Sequence, residues 1–211
     1  MHSFQKRYVF LVITPLLIGF LWSVNLVNAA AVVTTSVVIF NPFGVTAKII
    51  AIPERRIANI GANIFNKSVL NGVLTIYPTG ADRSDPNTIL FTTSTIATGD
   101  TGETSDNVTL TGLQDGVYDV VFKDDAHLAR LISNVVMTNG VELDFTENGQ
   151  LPLYAGDINL TTGDNKVNAL DMSVLVNNWG SSERRPDLNQ DTEVNALDAG
   201  TVLDNFNLVG D

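Results

Sequence analysis

The chain has 211 residues, 45% hydrophobic and 17% charged, with 12 basic and 23 acidic side chains and a formal net charge of -11. That composition describes one or two small globular domains and excludes a disordered chain. The acidic balance excludes the basic patch that nucleic acid requires and suits a cation; the absence of cysteine excludes a disulfide framework and thiolate-bound zinc.

Residues 1–30 read as a secretory signal peptide: Lys6 and Arg7 precede an apolar stretch from Val9 to Val24, and small residues follow at Ala29, Ala30 and Ala31. The rival reading is an uncleaved membrane anchor, the protein's one route to a membrane. Sixteen residues with a central Pro15 are short for a span of about 20, which favours cleavage. Without Lys6 and Arg7 the mature chain keeps 10 basic against 23 acidic residues, a balance of -13.

Residues 32–146 alternate in short β-branched or apolar runs broken by turn residues. Strands are expected at 36–40, 47–52, 57–65, 72–77, 89–94, 107–110, 117–123, 128–136 and 141–145. Turn signals such as Pro78-Thr79-Gly80, Gln114-Asp115-Gly116 and Asn139-Gly140 separate them. Many short strands and no 3.6-residue period predict an all-β, antiparallel sandwich of immunoglobulin-like shape. The hairpin around Gly116-Val117-Tyr118 resembles that of carboxypeptidase regulatory-like and Cna-B-like modules. Residues 147–155 read as a linker.

The composition then shifts to Asp, Asn and Gly. Asp164-Asn165-Lys166-Val167-Asn168-Ala169-Leu170-Asp171 recurs 27 residues later as Asp191-Thr192-Glu193-Val194-Asn195-Ala196-Leu197-Asp198. In the second copy a twelve-residue loop starts at Asp187 and places side-chain oxygens at Asp187, Asn189, Asp191, Asn195 and Asp198, with the carbonyl of Glu193 between them. This is the spacing of a calcium loop, because a hard cation of that size takes roughly six to eight oxygens and alternate residues of a tight loop turn inward. Thr192 stands where the sharp turn prefers glycine, which should weaken the second loop. In the first copy Asp157, Asn159, Asp164, Asn168 and Asp171, with the carbonyl of Lys166, form the equivalent set once Leu160, Thr161 and Thr162 bulge outward. Two calcium ions are therefore expected.

Residues 156–211, opening with Gly156-Asp157-Ile158-Asn159 and ending each loop in Asp, resemble a dockerin type I domain with paired EF-hand-like loop–helix units. The expected architecture is thus a β-sandwich module followed by a small α-helical domain. The resemblance implies a cohesin-type protein partner, a secreted or cell-surface location, and membership of a complex of the polysaccharide-degrading, cellulosome type. It also implies that residues just before the last loop Asp, and outward helix positions beyond it, face the partner.

The helical spacing of Met172, Leu175, Val176 and Trp179, and of Ala199, Val202, Leu203 and Phe206, predicts two inward stripes. Ala169, Leu170, Val174 and Asn177 in the first helix, and Ala196, Leu197, Thr201 and Asp204 in the second, are then the candidate partner surface. No catalytic residue is assigned. The mature chain has a single histidine, His127, and no nucleophile elbow, so it is expected to be noncatalytic. The alternative is a carbohydrate-binding or hydrolytic auxiliary acting through the β-domain.

Overall fold

The computed structural model describes residues 44–55, 69, 71–93, 95–98, 105–146 and 151–211. The expected strands at 36–40 and 57–65, the segment 1–30 and residues 147–150 lie outside the described residues. Seven strands fall close to the runs that the alternation marks: β1 (Val45–Ile50), β2 (Val73–Pro78), β3 (Phe91–Thr92), β4 (Val108–Leu110), β5 (Gly116–Lys123), β6 (Arg130–Met137) and β7 (Val141–Asp144). Two nine-residue helices follow, α1 (Ala169–Asn177) and α2 (Ala196–Asp204). None is long and apolar enough to cross a membrane among the described residues.

The strands form two sheets, ordered β4-β1-β7 and β3-β2-β5-β6. Antiparallel neighbours dominate, as expected, but β1 runs parallel to β7, with Ala47 opposite Val141 and Ile50 opposite Asp144. Strands with no short connection between them are free to align this way. Each sheet turns alternate residues inward, so Val45, Ala47 and Ile49 meet Leu74, Ile76, Val120 and Phe122 in one core. The Phe122 ring packs on Phe145 with centroids 5.3 Å apart.

Two local devices shape β5. A Cβ on Gly116 would lie 2.9 Å from the Tyr118 hydroxyl, which donates across the turn to the Gln114 carbonyl at 3.0 Å. Glycine there is what lets the tyrosine brace its own hairpin. Between Tyr118 and Val120 the register slips, and the buried Asp119 accepts N–H bonds from Gly80 at 2.9 Å and Asn134 at 3.0 Å.

The second core is small: Ile158, Val167, Leu175, Leu188, Val194 and Val202 pack with Ala126 and Leu128 of the β-module and with Ala155. Residues 151–155 run between the cores in bridged, extended form. Leu153 is fully buried opposite Pro53, and Ala155 pairs with His127. All described residues belong to one compact unit, residues 42–211.

Candidate metal centre and partner surface

Asp171 and Asp198 organise the two loop–helix units in the same way. Both carboxylates are fully buried. Asp171 Oδ1 accepts from the N–H groups of Ile158 and Asn159, each at 2.8 Å, and Oδ2 from Asn168 N–H at 2.8 Å. Asp198 Oδ1 accepts from Leu188 at 2.8 Å and Asn189 at 3.2 Å, and Oδ2 from Asn195 at 2.9 Å. One side chain thus clasps the start of its loop to the start of its helix. Asn168 and Asn195 reciprocate as N-caps, their side chains accepting from Leu170 and Leu197 at 2.8 Å.

The first carboxylates are equally alike. Asp157 accepts from Asp164 and Asn165 N–H, both at 2.9 Å, and Asp187 from Asp191 and Thr192 N–H at 3.1 and 2.9 Å. The backbones repeat as well: Gly163 and Asn165 have φ of 71° and 61°, and Gln190 and Thr192 have 57° and 81°. The extra residues Leu160, Thr161 and Thr162 stand outward from loop one, closed off by a 3.0 Å bond from Gly163 N–H to the Asn159 carbonyl. Gly163 is obligatory, since a Cβ there would lie 2.2 Å from the Asp157 carboxylate.

Burial raises the Asp157 carboxyl above its ordinary value of 3.8, against the opposing pull of Lys123 and two backbone N–H groups. Burial also raises Asp187, and the negative charges of Asp198 and Asp191 add to the rise. Convergent like charges out of water call for a cation. In loop one both polar atoms of the Asn159 carboxamide are buried without a hydrogen-bond partner, at the third loop position where an oxygen ligand belongs. Among the described residues no three Asp, Glu, His or Cys side chains form a metal centre by themselves. The loops instead combine carboxylates with Asn159, Asn168, Asn189 and Asn195 and with the carbonyls of Lys166 and Glu193. Such a mixed oxygen set fits calcium.

Thr192 bears the cost foreseen for it, a β-branched residue at φ 81°. Thr192→Asn should stabilise the protein by about 1 kcal/mol, since Asn tolerates this conformation better. An unchanged thermal midpoint in calcium would contradict that.

The helix faces require a correction. Val176, Trp179, Leu203 and Phe206, expected in the core, are 59%, 54%, 60% and 40% exposed. Thr201, expected on the partner surface, is buried and donates to the Leu197 carbonyl at 3.1 Å. Val174 is half-buried against the small core. The cause is the clasp: Asp171 and Asp198 must point inward, so each helix is turned by about one residue, roughly 100°, from where apolar spacing alone puts it. Ala169, Leu170, Asn177, Ala196, Leu197 and Asp204 do stand exposed, and Asp204 pairs with Arg55.

The β-module contributes side chains that spacing within the repeat could not reveal. Lys123 Nζ reaches Asp157 at 2.6 Å, and Glu54 accepts from Ala155 N–H at 3.0 Å and from the Asn205 carboxamide. Asn165 in turn accepts from Ala129 N–H at 2.8 Å, and Arg185 donates to the carbonyls of Asp125 and Asn159. His127 is fully buried beside Asp124, its Nδ1 2.8 Å from both carboxylate oxygens.

Residues 155–207 match the dockerin type I domain family. No curated protein matches the chain in sequence. Two crystal structures of type II cohesin–X–dockerin complexes from Acetivibrio cellulolyticus, an N-terminal and a C-terminal interface mutant, share its fold. The first aligns with TM-score 0.53 and 22% identity over 79% of this chain and 98% of that one. The second aligns with TM-score 0.52 and 21% identity over the same shares.

Proposed function

We propose that residues 156–211, most of which match the dockerin type I domain family, bind two calcium ions and so loaded dock on a cohesin-type protein, attaching the β-module to a multiprotein complex. The clasp repeated at Asp171 and Asp198 carries this assignment, because it builds two equivalent oxygen-lined loops on helices that present the same exposed Ala-Leu pair. Loop one takes its ion through Asp157, Asn159, Asp164, Lys166, Asn168 and Asp171, and loop two through Asp187, Asn189, Asp191, Glu193, Asn195 and Asp198. The similarity to cohesin–X–dockerin structures supports the partner class, as does the pair Leu170 and Leu197, each 59% exposed. The exposed Val176, Trp179, Leu203 and Phe206 extend the candidate surface. The signal-like pattern of segment 1–30 supports a location outside the cell or on its surface, and the dockerin resemblance supports an assembly of the polysaccharide-degrading kind.

Calorimetric titration of the whole chain with calcium, then with a panel of cohesin domains, tests the assignment. Two calcium equivalents and calcium-dependent capture by one cohesin are expected; absence of calcium heat would overturn it. Because the Ala-Leu pairs repeat, the partner is expected to dock in either of two orientations related by about a half turn. Leu170→Asp or Leu197→Asp alone should then weaken binding by no more than about threefold, and the double variant by more than about a hundredfold. Loss of binding with Leu170→Asp alone would exclude the two-orientation mode.

One observation favours the second reading, carbohydrate binding or hydrolysis by the β-domain. A cleft of about 650 Å³ between the four-stranded sheet and loop one is lined by Tyr77, Arg83, Asp125, Thr161 and Asn165, and is of a size that holds small ligands. A glycan array probed with the whole chain would separate the two, with binding in the presence of chelator assigning it to the β-domain.

A further inference from the structure

We propose that Lys123, at the end of β5, competes with calcium for loop one, so that the β-module sets the affinity of the first loop and leaves the second to its own residues. This rests on the calcium assignment above. The loops hold Asp157 and Asp187 through the same two backbone N–H groups, 27 residues apart, and the positive-φ residues beside them coincide. The second loop is therefore an internal control for the first.

Among the described residues, one contact to Asp157 has no counterpart at Asp187. Lys123 Nζ stands 2.6 Å from Asp157 Oδ2, held there by the carbonyls of His127 at 2.8 Å and Asp124 at 3.3 Å. Its three N–H donors thus have three oxygen acceptors, and the carboxylate it meets is fully buried. A divalent ion in loop one must use that same carboxylate and would have the ammonium as a like-charged neighbour across it. Repulsion over about 5 Å at an effective dielectric of about 20 is enough to change affinity by more than tenfold. The side chain keeps partial access to water, so it can withdraw when calcium enters, at the loss of its bond to Asp157. By reciprocity, calcium in loop one loosens this junction and an intact junction disfavours calcium there. Loop one fills last and empties first.

The test is titration of the full chain with calcium chloride alone, in the wild type, Lys123→Gln, Lys123→Met and Lys123→Arg. The wild type should show two sites of unequal affinity. Lys123→Gln and Lys123→Met should strengthen the weaker site at least about tenfold and leave the tighter one unchanged. Lys123→Arg keeps the charge and should stay within about threefold of wild type. Asp164→Asn identifies the weaker site as loop one by weakening it further. Unchanged constants in both neutral variants, or a weaker loop one, overturn the proposal and leave the calcium assignment standing. Absence of calcium heat in every variant overturns the calcium assignment and the proposal with it.

Discussion

Asp171→Ala is expected to unfold the first loop–helix unit, at a cost of about 3–5 kcal/mol. The carboxylate is fully buried and accepts three backbone N–H bonds, at 2.8 Å each, from Ile158, Asn159 and Asn168. Alanine leaves three donors unpaired in a buried place and also opens the capping box at the head of α1. Asp171→Asn keeps one carbonyl acceptor and should fall between the two. Asp198→Ala should behave the same way, because its bonds repeat. Urea unfolding followed by far-UV circular dichroism gives the number, and a loss below about 1 kcal/mol would show that the clasp is dispensable.

Removing calcium is the second large perturbation. At free calcium about a thousandfold above the dissociation constant, each loop is expected to gain about 4 kcal/mol under the calcium assignment, all of it lost in excess chelator. The pH dependence then depends on the metal. Burial holds Asp157 and Asp187 above their ordinary value of 3.8, so between that value and the raised one the folded chain binds more protons than the unfolded chain. In chelator the stability contributed by these two groups is fully present below 3.8 and is lost as pH rises through the folded value. In calcium the trend inverts, since protons and the ion compete for the same oxygens and binding strengthens as protons leave. Thermal unfolding at about pH 4 and about pH 7, with and without chelator, should show the two slopes of opposite sign. Parallel slopes would mean that these carboxylates do not meet the ion.

Much of this was legible in the sequence, and the rest was hidden for physical reasons. Strand positions were readable because alternation is imposed by one buried face, as in β1 and β2. The loops were readable because their chemistry is local, with oxygen side chains at fixed spacing and a turn residue between them. Helix rotation was not, because the apolar pattern of Met172, Leu175, Val176 and Trp179 competes with a polar anchor. Asp171 looks like a surface residue in sequence, yet three backbone donors draw it to the centre of the buried face. Taking the loop carboxylate as inward from the start would have placed Val176, Trp179, Leu203 and Phe206 outside. Lys123 was invisible for another reason: its partner Asp157 lies 34 residues away and the two meet only through tertiary packing. The parallel pairing of β1 with β7 is likewise a property of the closed sheet and not of either strand.

The β-module touches the loop–helix pair asymmetrically. It reaches loop one through Lys123 and Ala129, and the end of α2 through Glu54 and Arg55. The near-symmetry of the repeat therefore ends at this junction. A cohesin that accepts either orientation would see almost the same surface twice, but each acceptance would throw the β-module to the opposite side. One chain could then occupy two addresses on the same scaffold, giving neighbours a choice of left or right without any change in the binding residues.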